Sequence, residues 1–404
     1  MPQVFSAGWL YLFAIVMVIS LVRIFFKLRT IRSEAPMDRP VIKVNPIPRP
    51  EPDLAGETKE DSLLTGPDDL IRQGDYKGAL GSLEQLLEDL SPTEDREARG
   101  KVLFRIGACH SRLATGDESF QRKLRAGEAL REAARLFTPI RYINHYLRAL
   151  GELAELYVDL AREKSPVENL SQSARTCQTA ADSAAQGQLV IPGAMFLARS
   201  ANAYRQLASF SEAQVNLRKA ADAYEKAAAV LETVDSEDVA IEKMKILKVL
   251  GDTCVDLAVY FQRADSLAWA VRSYEGALKI MDEDQHLRER CMVLTDTSRV
   301  LLELYDSEKS PAHLRQALRY SRDALEAAKG EEYLVQRGLT MAVMGDALSR
   351  YSDVKDKREN LERAMKLYET SLGILKDGEE AEERERVRKK LAEAVGELNA
   401  ESGL

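Results

Sequence analysis

Six segments of the chain open on a leucine and continue in one shared phrase: LRAGEALREAAR from Leu124, LSQSARTCQTAA from Leu170, LRKAADAYEKAA from Leu217, LAWAVRSYEGAL from Leu267, LRQALRYSRDAL from Leu314 and LERAMKLYETSL from Leu361. Successive openings are 46, 47, 50, 47 and 47 residues apart. A fixed period of this size marks a stack of like units, each able to bury its apolar face only against its neighbours. In the last copy Leu361, Ala364, Tyr368, Ser371 and Leu372 recur at helical spacing, which places them on one stripe.

Ahead of each copy lies another apolar helix marked by a small residue: Gly107-Ala108, Gly151-Glu152, Ser200-Ala201, Gly251-Asp252, Thr295-Asp296 and Gly345-Asp346, standing 16 to 19 positions before the leucine. Each unit is therefore a first helix, a short turn and a second helix. The turns Ser91-Pro92-Thr93-Glu94 and Ser165-Pro166-Val167-Glu168 predict a capping hydroxyl, a proline at the first helical position and a glutamate at the third, and Ser310-Pro311 repeats the first two. A shorter unit runs from Leu70 to Leu87. At the other end Val387, Leu391, Ala394 and Leu398 form a single stripe in a densely charged segment. That pattern predicts a capping helix over 379–404, one face on the stack and the other in water.

The segment ahead of the repeats reads differently. Val4 to Val22 is a run of 19 residues without a charge, about 28 Å long as a helix and so long enough for a hydrocarbon core. Trp9 and Tyr11 sit near one end of it and Phe25 and Phe26 near the other, as interfacial aromatics do. No base precedes the run and no small-residue cleavage site follows it, so a retained single transmembrane helix is expected within 1–33 rather than a cleaved signal peptide. Arg23, Lys27, Arg29 and Arg32 all follow the span, which predicts that the C-terminal side faces the cytoplasm. The segment 34–60 holds six of the chain's 13 prolines and reads as an extended linker, with Pro36 to Pro52 spanning on the order of 50 Å. The repeat domain is expected over 61–378, in about seven units.

Charge narrows the function. The chain carries a net charge of -8, although the anchor segment contributes four bases and no acid, and the linker is acidic by only two charges. The repeats are therefore acidic, with no clustered Lys and Arg to neutralise phosphates, and nucleic acid is not the expected ligand. Cys109, Cys177, Cys254 and Cys291 stand apart inside helical patterns and read as small buried hydrophobes rather than a disulfide or metal set.

The junction Gly74-Asp75-Tyr76-Lys77-Gly78-Ala79 resembles the helix-turn-helix of tetratricopeptide repeats. The later units, with Gly345-Asp346-Ala347-Leu348-Ser349-Arg350-Tyr351 followed by Asn360-Leu361-Glu362-Arg363-Ala364, are similar to the elongated variety found in bacterial and fungal signalling proteins. The resemblance covers residues 65 to 375. It implies an all-α, right-handed superhelical solenoid of antiparallel helix pairs with first helices lining the concave face. The period exceeds 34 and the usual first-helix tryptophan is absent, so no chaperone-type carboxylate clamp is carried over.

No phosphate-binding loop, nucleophile elbow or zinc-protease motif is present in the sequence, and His110, His145, His286 and His313 are dispersed. The sequence therefore reads as a non-enzyme without a cofactor or metal. One constellation points to binding. Glu152, Asp252, Asp296 and Asp346 follow the small mark in four of the six units, and one turn on stand Arg112, Tyr204, Arg205, Asp256, Arg299 and Arg350. Two readings are open: Asp–Arg struts between units, or a polar groove that receives a basic peptide. At the level of function, a membrane-tethered adaptor stands against a structural subunit of a membrane or envelope assembly. Trp269 is the candidate for an outward contact.

Overall fold

A computed structural model describes residues 63–401, apart from 94, 283–284 and 377–379. The chain divides into a unit Met1–Lys43 and a unit Val44–Leu404. The expected anchor at Val4–Val22 and the proline linker lie outside the described residues. Among the described residues no helix is long and apolar enough to cross a membrane.

The described residues form an all-α solenoid. Its helices are α1 (Thr65–Arg72), α2 (Tyr76–Asp89), α3 (Arg96–Arg112), α4 (Ser119–Leu136), α5 (Ile143–Glu163), α6 (Pro166–Gln186), α7 (Val190–Ala208), α8 (Ala213–Leu231), α9 (Glu237–Ala258), α10 (Arg263–Ile280), α11 (Leu287–Glu308), α12 (Pro311–Ala327), α13 (Leu334–Ser352), α14 (Lys357–Ile374) and α15 (Ala381–Glu401). Odd-numbered helices are first helices and even-numbered ones second helices, each packed on its sequence neighbours. First helices also approach one another, α3 with α5, α7 with α9, α11 with α13 and α13 with α15; no pair of second helices among the described residues comes as close. The first-helix layer is thus the tighter, inner side of the stack.

The turn inside the five units that open at Leu170, Leu217, Leu267, Leu314 and Leu361 is built by one recurring device. Ser165, Glu212, Gln262, Lys309 and Asp356 carry φ between 36° and 57°, a left-handed conformation that costs a non-glycine residue on the order of 1 kcal/mol. Four positions later stand Asn169, Asn216, Ser266, His313 and Asn360. Asn169 Nδ2, Asn216 Nδ2, Ser266 Oγ and Asn360 Nδ2 donate to the carbonyls of Lys164, Ser211, Phe261 and Lys355 at 2.8, 2.7, 2.9 and 2.8 Å. His313 Nε2 instead meets Glu308 at 2.7 Å. These bonds take up loop carbonyls beyond the first helix, each on the residue just before the left-handed one, and offset the strain. The next residue is the opening leucine, and Leu170, Leu217, Leu267, Leu314 and Leu361 are all buried.

Two expectations about turns are corrected. Ser165 does precede Pro166 at the start of α6, but its hydroxyl makes no capping bond, because φ 51° and ψ 58° leave the extended backbone a capping side chain needs. Ser310 before Pro311 makes none either. Pro92 does not begin a helix: α3 starts at Arg96, and Asp95 Oδ2 accepts from the Ser91 amide at 2.9 Å.

Candidate functional site

A buried register runs through the long units. In the five units from Leu170 onward, the residue 16 positions before the opening leucine is Ala154, Ala201, Gly251, Ser298 or Gly345, and the residue seven after it is Cys177, Tyr224, Tyr274, Ser321 or Tyr368. All are buried. A Cβ on Gly345 would meet Tyr368 Cε1 at 2.7 Å, and one on Gly251 would sit closer still to Tyr274. Glycine is required there because a tyrosine ring lies flat against the first-helix backbone. The ring's hydroxyl then reaches the residue after the small one. Tyr224 donates to Asn202 Oδ1 at 2.5 Å, Tyr274 to Asp252 Oδ1 at 2.7 Å and Tyr368 to Asp346 Oδ1 at 2.8 Å. Burial, with the charge of these carboxylates, pushes the Tyr274 and Tyr368 phenols well up, so both stay protonated donors.

The tyrosine bonds also reset the expected row of acids. Asp252 and Asp346 directly follow the buried small residue of their units, a register where the other units carry Glu155, Asn202 and Arg299. Glu152 and Asp296 stand one helical turn earlier relative to their leucines. The nearest small residue marks the wrong turn in those two units. The four acids therefore occupy two levels of the first-helix face rather than one slot.

Asp252, Asp256 and Asp296 come together on α9 and α11. Asp252 accepts from Lys248 Nζ at 3.0 Å as well as from Tyr274. Asp256 Oδ2 accepts from Arg205 Nε and Nη2 of α7 at 3.2 and 3.0 Å, a strut between neighbouring units. Asp296 Oδ1 lies 3.5 Å from Arg299 Nη1. Desolvation raises the carboxyls of Asp256 and Asp296 above the ordinary range, and the negative charge of Asp252 adds to it in both. Their side chains keep 29% and 31% of their surface open to solvent. Asp256 Oδ1 and Asp296 Oδ2 accept no hydrogen bond among the described residues.

The other expected positions scatter. Asp346 is buried between Tyr368 and Arg386, whose Nη1 lies 2.6 Å from Oδ2. Arg350 binds both oxygens of Asp306 on α11, with Nη2 to Oδ2 at 2.9 Å, a second inter-unit strut. Tyr204 lies under Lys219, 5.4 Å from ammonium to ring centroid. Glu152 is half-buried on α5, and Arg112 is exposed at the end of α3. Trp269 is half-buried on α10 with the Arg218 guanidinium 5.0 Å above its ring, a cation–π contact between second helices. All four cysteines are buried, and burial pushes the thiols up, Cys109 to about 11 and Cys177 to about 12. They are inert packing residues.

Three features carry little signal in the sequence alone. Arg105 on α3 is 1% exposed and donates to both oxygens of Asp68 on α1, at 2.6 and 2.9 Å. Asn202 is neutral and does not stand out beside the acids, although Tyr224 in the following second helix identifies it. Arg99, Arg290 and Arg384, early in first helices, donate to the carbonyls of Leu87, Leu278 and Leu372 at the end of the preceding second helix. The spacing from acceptor to arginine is the same in all three, and it becomes visible in the sequence once the helix ends are known.

No family model matches the chain, and no curated protein matches it in sequence. Among solved structures it is similar to the C-terminal part of a TPR repeat-containing protein from Cytophaga hutchinsonii, with 13% identity, a TM-score of 0.46, 79% of this chain and 98% of that chain covered. It is also similar to a circular tandem repeat protein, at 16% identity and a TM-score of 0.37 over 84% and 88% of the two chains. The TPR domain of P58(IPK) matches at 14% identity and a TM-score of 0.18 over 84% and 98%. The helix-pair architecture stands on the packing described above.

Proposed function

We propose that the chain is a membrane-tethered adaptor whose inner, first-helix face captures a basic segment of a protein partner. Protein binding on an extended face is the usual work of helical repeat stacks. The observation that carries the basic partner is the cluster on α9 and α11: Asp256 Oδ1 and Asp296 Oδ2 stand without hydrogen-bond donors beside Asp252, part-buried on the inner layer. An incoming ammonium or guanidinium supplies the missing donors and relieves the cost of burying the charge. The tether is the uncharged run Val4–Val22, with the repeats on its basic, cytoplasmic side.

The test replaces Asp256 and Asp296 together by Asn in the full chain. Capture of an immobilised oligo-lysine peptide is expected to fall several-fold, with helicity retained and the loss shrinking as salt screens the wild type within about 8 Å. An early melt with capture intact would make the acids struts alone. A structural subunit is the second reading, favoured by exposed apolar turn tips on adjacent units, where Phe210 is 52%, Val259 60% and Tyr260 39% exposed. That reading expects the chain to leave the membrane only with a stoichiometric partner, and replacement of the three tips by Ser to release it.

A further inference from the structure

α15 docks on α13 and α14 where the first helix of a further unit would lie. Its Arg384 Nη1 donates to the Leu372 and Leu375 carbonyls, as Arg99 does to those of Leu87 and Leu90 near the other end. Apolar burial holds it less firmly than a first helix inside the stack. Val387 and Ala394 of α15 are buried and Leu391 and Leu398 pack part-buried on the same cluster, whereas α11 buries residues from Cys291 to Tyr305 along its whole length. The opposite face, with Ala392, Glu393, Gly396 and Glu397, is open to solvent.

Charge supplies the rest of the attachment. Arg386 Nη1 lies 2.6 Å from Asp346 Oδ2, and Arg386 Nη2 lies 2.8 Å from Glu383 Oε1. Glu383 in turn approaches Arg299 of α11 to 3.9 Å, over the top of α13. The pair thus touches two inner-face positions on two first helices. A basic group flanked by an acid, presented to that face from within the chain, is the chemistry that the face is proposed to receive from outside.

We propose that α15 is a releasable internal ligand, whose Glu383–Arg386 pair occupies the C-terminal end of the inner face until a basic partner segment competes for it. The inference rests on the basic-partner reading above. Release uncovers the cluster of Ala342, Leu348, Leu361 and Tyr368 that Val387 and Ala394 complete, so the open form is a minority that the partner draws out. On the α15 side the bonds broken are part-exposed, with Arg386 at 35% and Glu383 at 23%, and therefore respond to salt, while Asp346, 9% exposed, keeps the Tyr368 hydroxyl on release.

Hydrogen exchange on the full chain, with and without a fluorescein-labelled hexa-arginine peptide, tests it. In the wild type the peptide is expected to speed exchange of α15 amides while α13 amides stay protected. Arg386→Gln is expected to speed α15 at least about tenfold without peptide, the effect of losing the charge-assisted bonds to Asp346 and Glu383, and to bind the peptide several-fold more tightly. Equal acceleration of α13 and α15 would make α15 an inseparable part of the stack and overturn the proposal. Peptide binding with no change in α15 exchange would overturn the release alone. No peptide binding to either protein would overturn the basic-partner reading, and the competition with it.

Discussion

At the N-terminal end α1 is tied to the stack by Asp68 and Arg105; at the C-terminal end α15 is tied by Arg386 and Asp346. Both bonds join an aspartate to an arginine on the neighbouring first helix, at 2.6 Å. Their settings differ. Arg105 is sealed, with 1% of its side chain exposed and both Asp68 oxygens taken. Arg386 is a third open and shares its guanidinium with Glu383. The two aspartates are alike, 14% and 9% exposed; the arginines are not. Breaking the first bond strands a buried arginine, whereas breaking the second frees an arginine that water can take up and leaves Asp346 to the Tyr368 hydroxyl. The N-terminal joint is therefore expected to be the firmer of the two.

The largest expected effect is at the sealed end. Asp68→Ala is expected to cost about 3–5 kcal/mol, because buried Arg105 loses the carboxylate that takes its Nε and Nη2, and chemical denaturation followed by circular dichroism measures it. Arg386→Gln is expected to cost less, about 1.5–3 kcal/mol, because Arg386 is a third open and buried Asp346 keeps the Tyr368 hydroxyl; equal costs at the two ends would erase the distinction between them. Below it lies Tyr368→Phe, which removes one of the two hydrogen bonds on buried Asp346 and is expected to cost about 1–2 kcal/mol. Tyr274→Phe is expected to cost less, since Asp252 is more open and keeps Lys248.

The pH dependence divides the same way and is smaller. Desolvation raises the Glu383 carboxyl, but Arg386 overrides it and holds the group below the ordinary range. A carboxyl lowered by folding contributes stability that is present above its unfolded value and lost as pH falls through the folded one. Asp256 and Asp296 are raised, so the fold favours their protonated forms and is not weakened at that step as pH falls. Basic-peptide capture is therefore expected to decline on acidification before α15 loosens through Glu383. Titration of capture beside α15 exchange checks the order.

Much of the fold was legible because it is periodic. The leucine openings, the second-helix stripe and the small residue facing it all recur, and periodic burial is what a stack must repeat. The turn device was equally present, as Asn169, Asn216, Ser266, His313 and Asn360 each standing one residue before a leucine, but its left-handed residues share no side-chain type. Glu152 and Asp296 fall in with Asp252 and Asp346 when the nearest small residue serves as the ruler; the tyrosine hydroxyl is the better one. Ser165 misleads because a serine before a proline looks the same whether its backbone is extended or left-handed. Asp68 and Arg105 belong to different units and no local pattern joins them. The site was legible in part: Asp252, Asp256 and Asp296 do converge on α9 and α11, while Asp346 and Arg350 serve internal bonds.

The central claim is that a basic partner lies on the first-helix face. A photo-crosslinking amino acid at Arg299, 46% exposed on α11 beside Asp296, is to be compared with one at Arg218, 50% exposed on the second helix α8, using a labelled oligo-lysine peptide and the full chain. Crosslinking at 299 and not at 218, abolished by Asp256→Asn with Asp296→Asn, is the predicted result. Crosslinking at 218 that survives the double substitution would place the partner on the outer face and contradict the account.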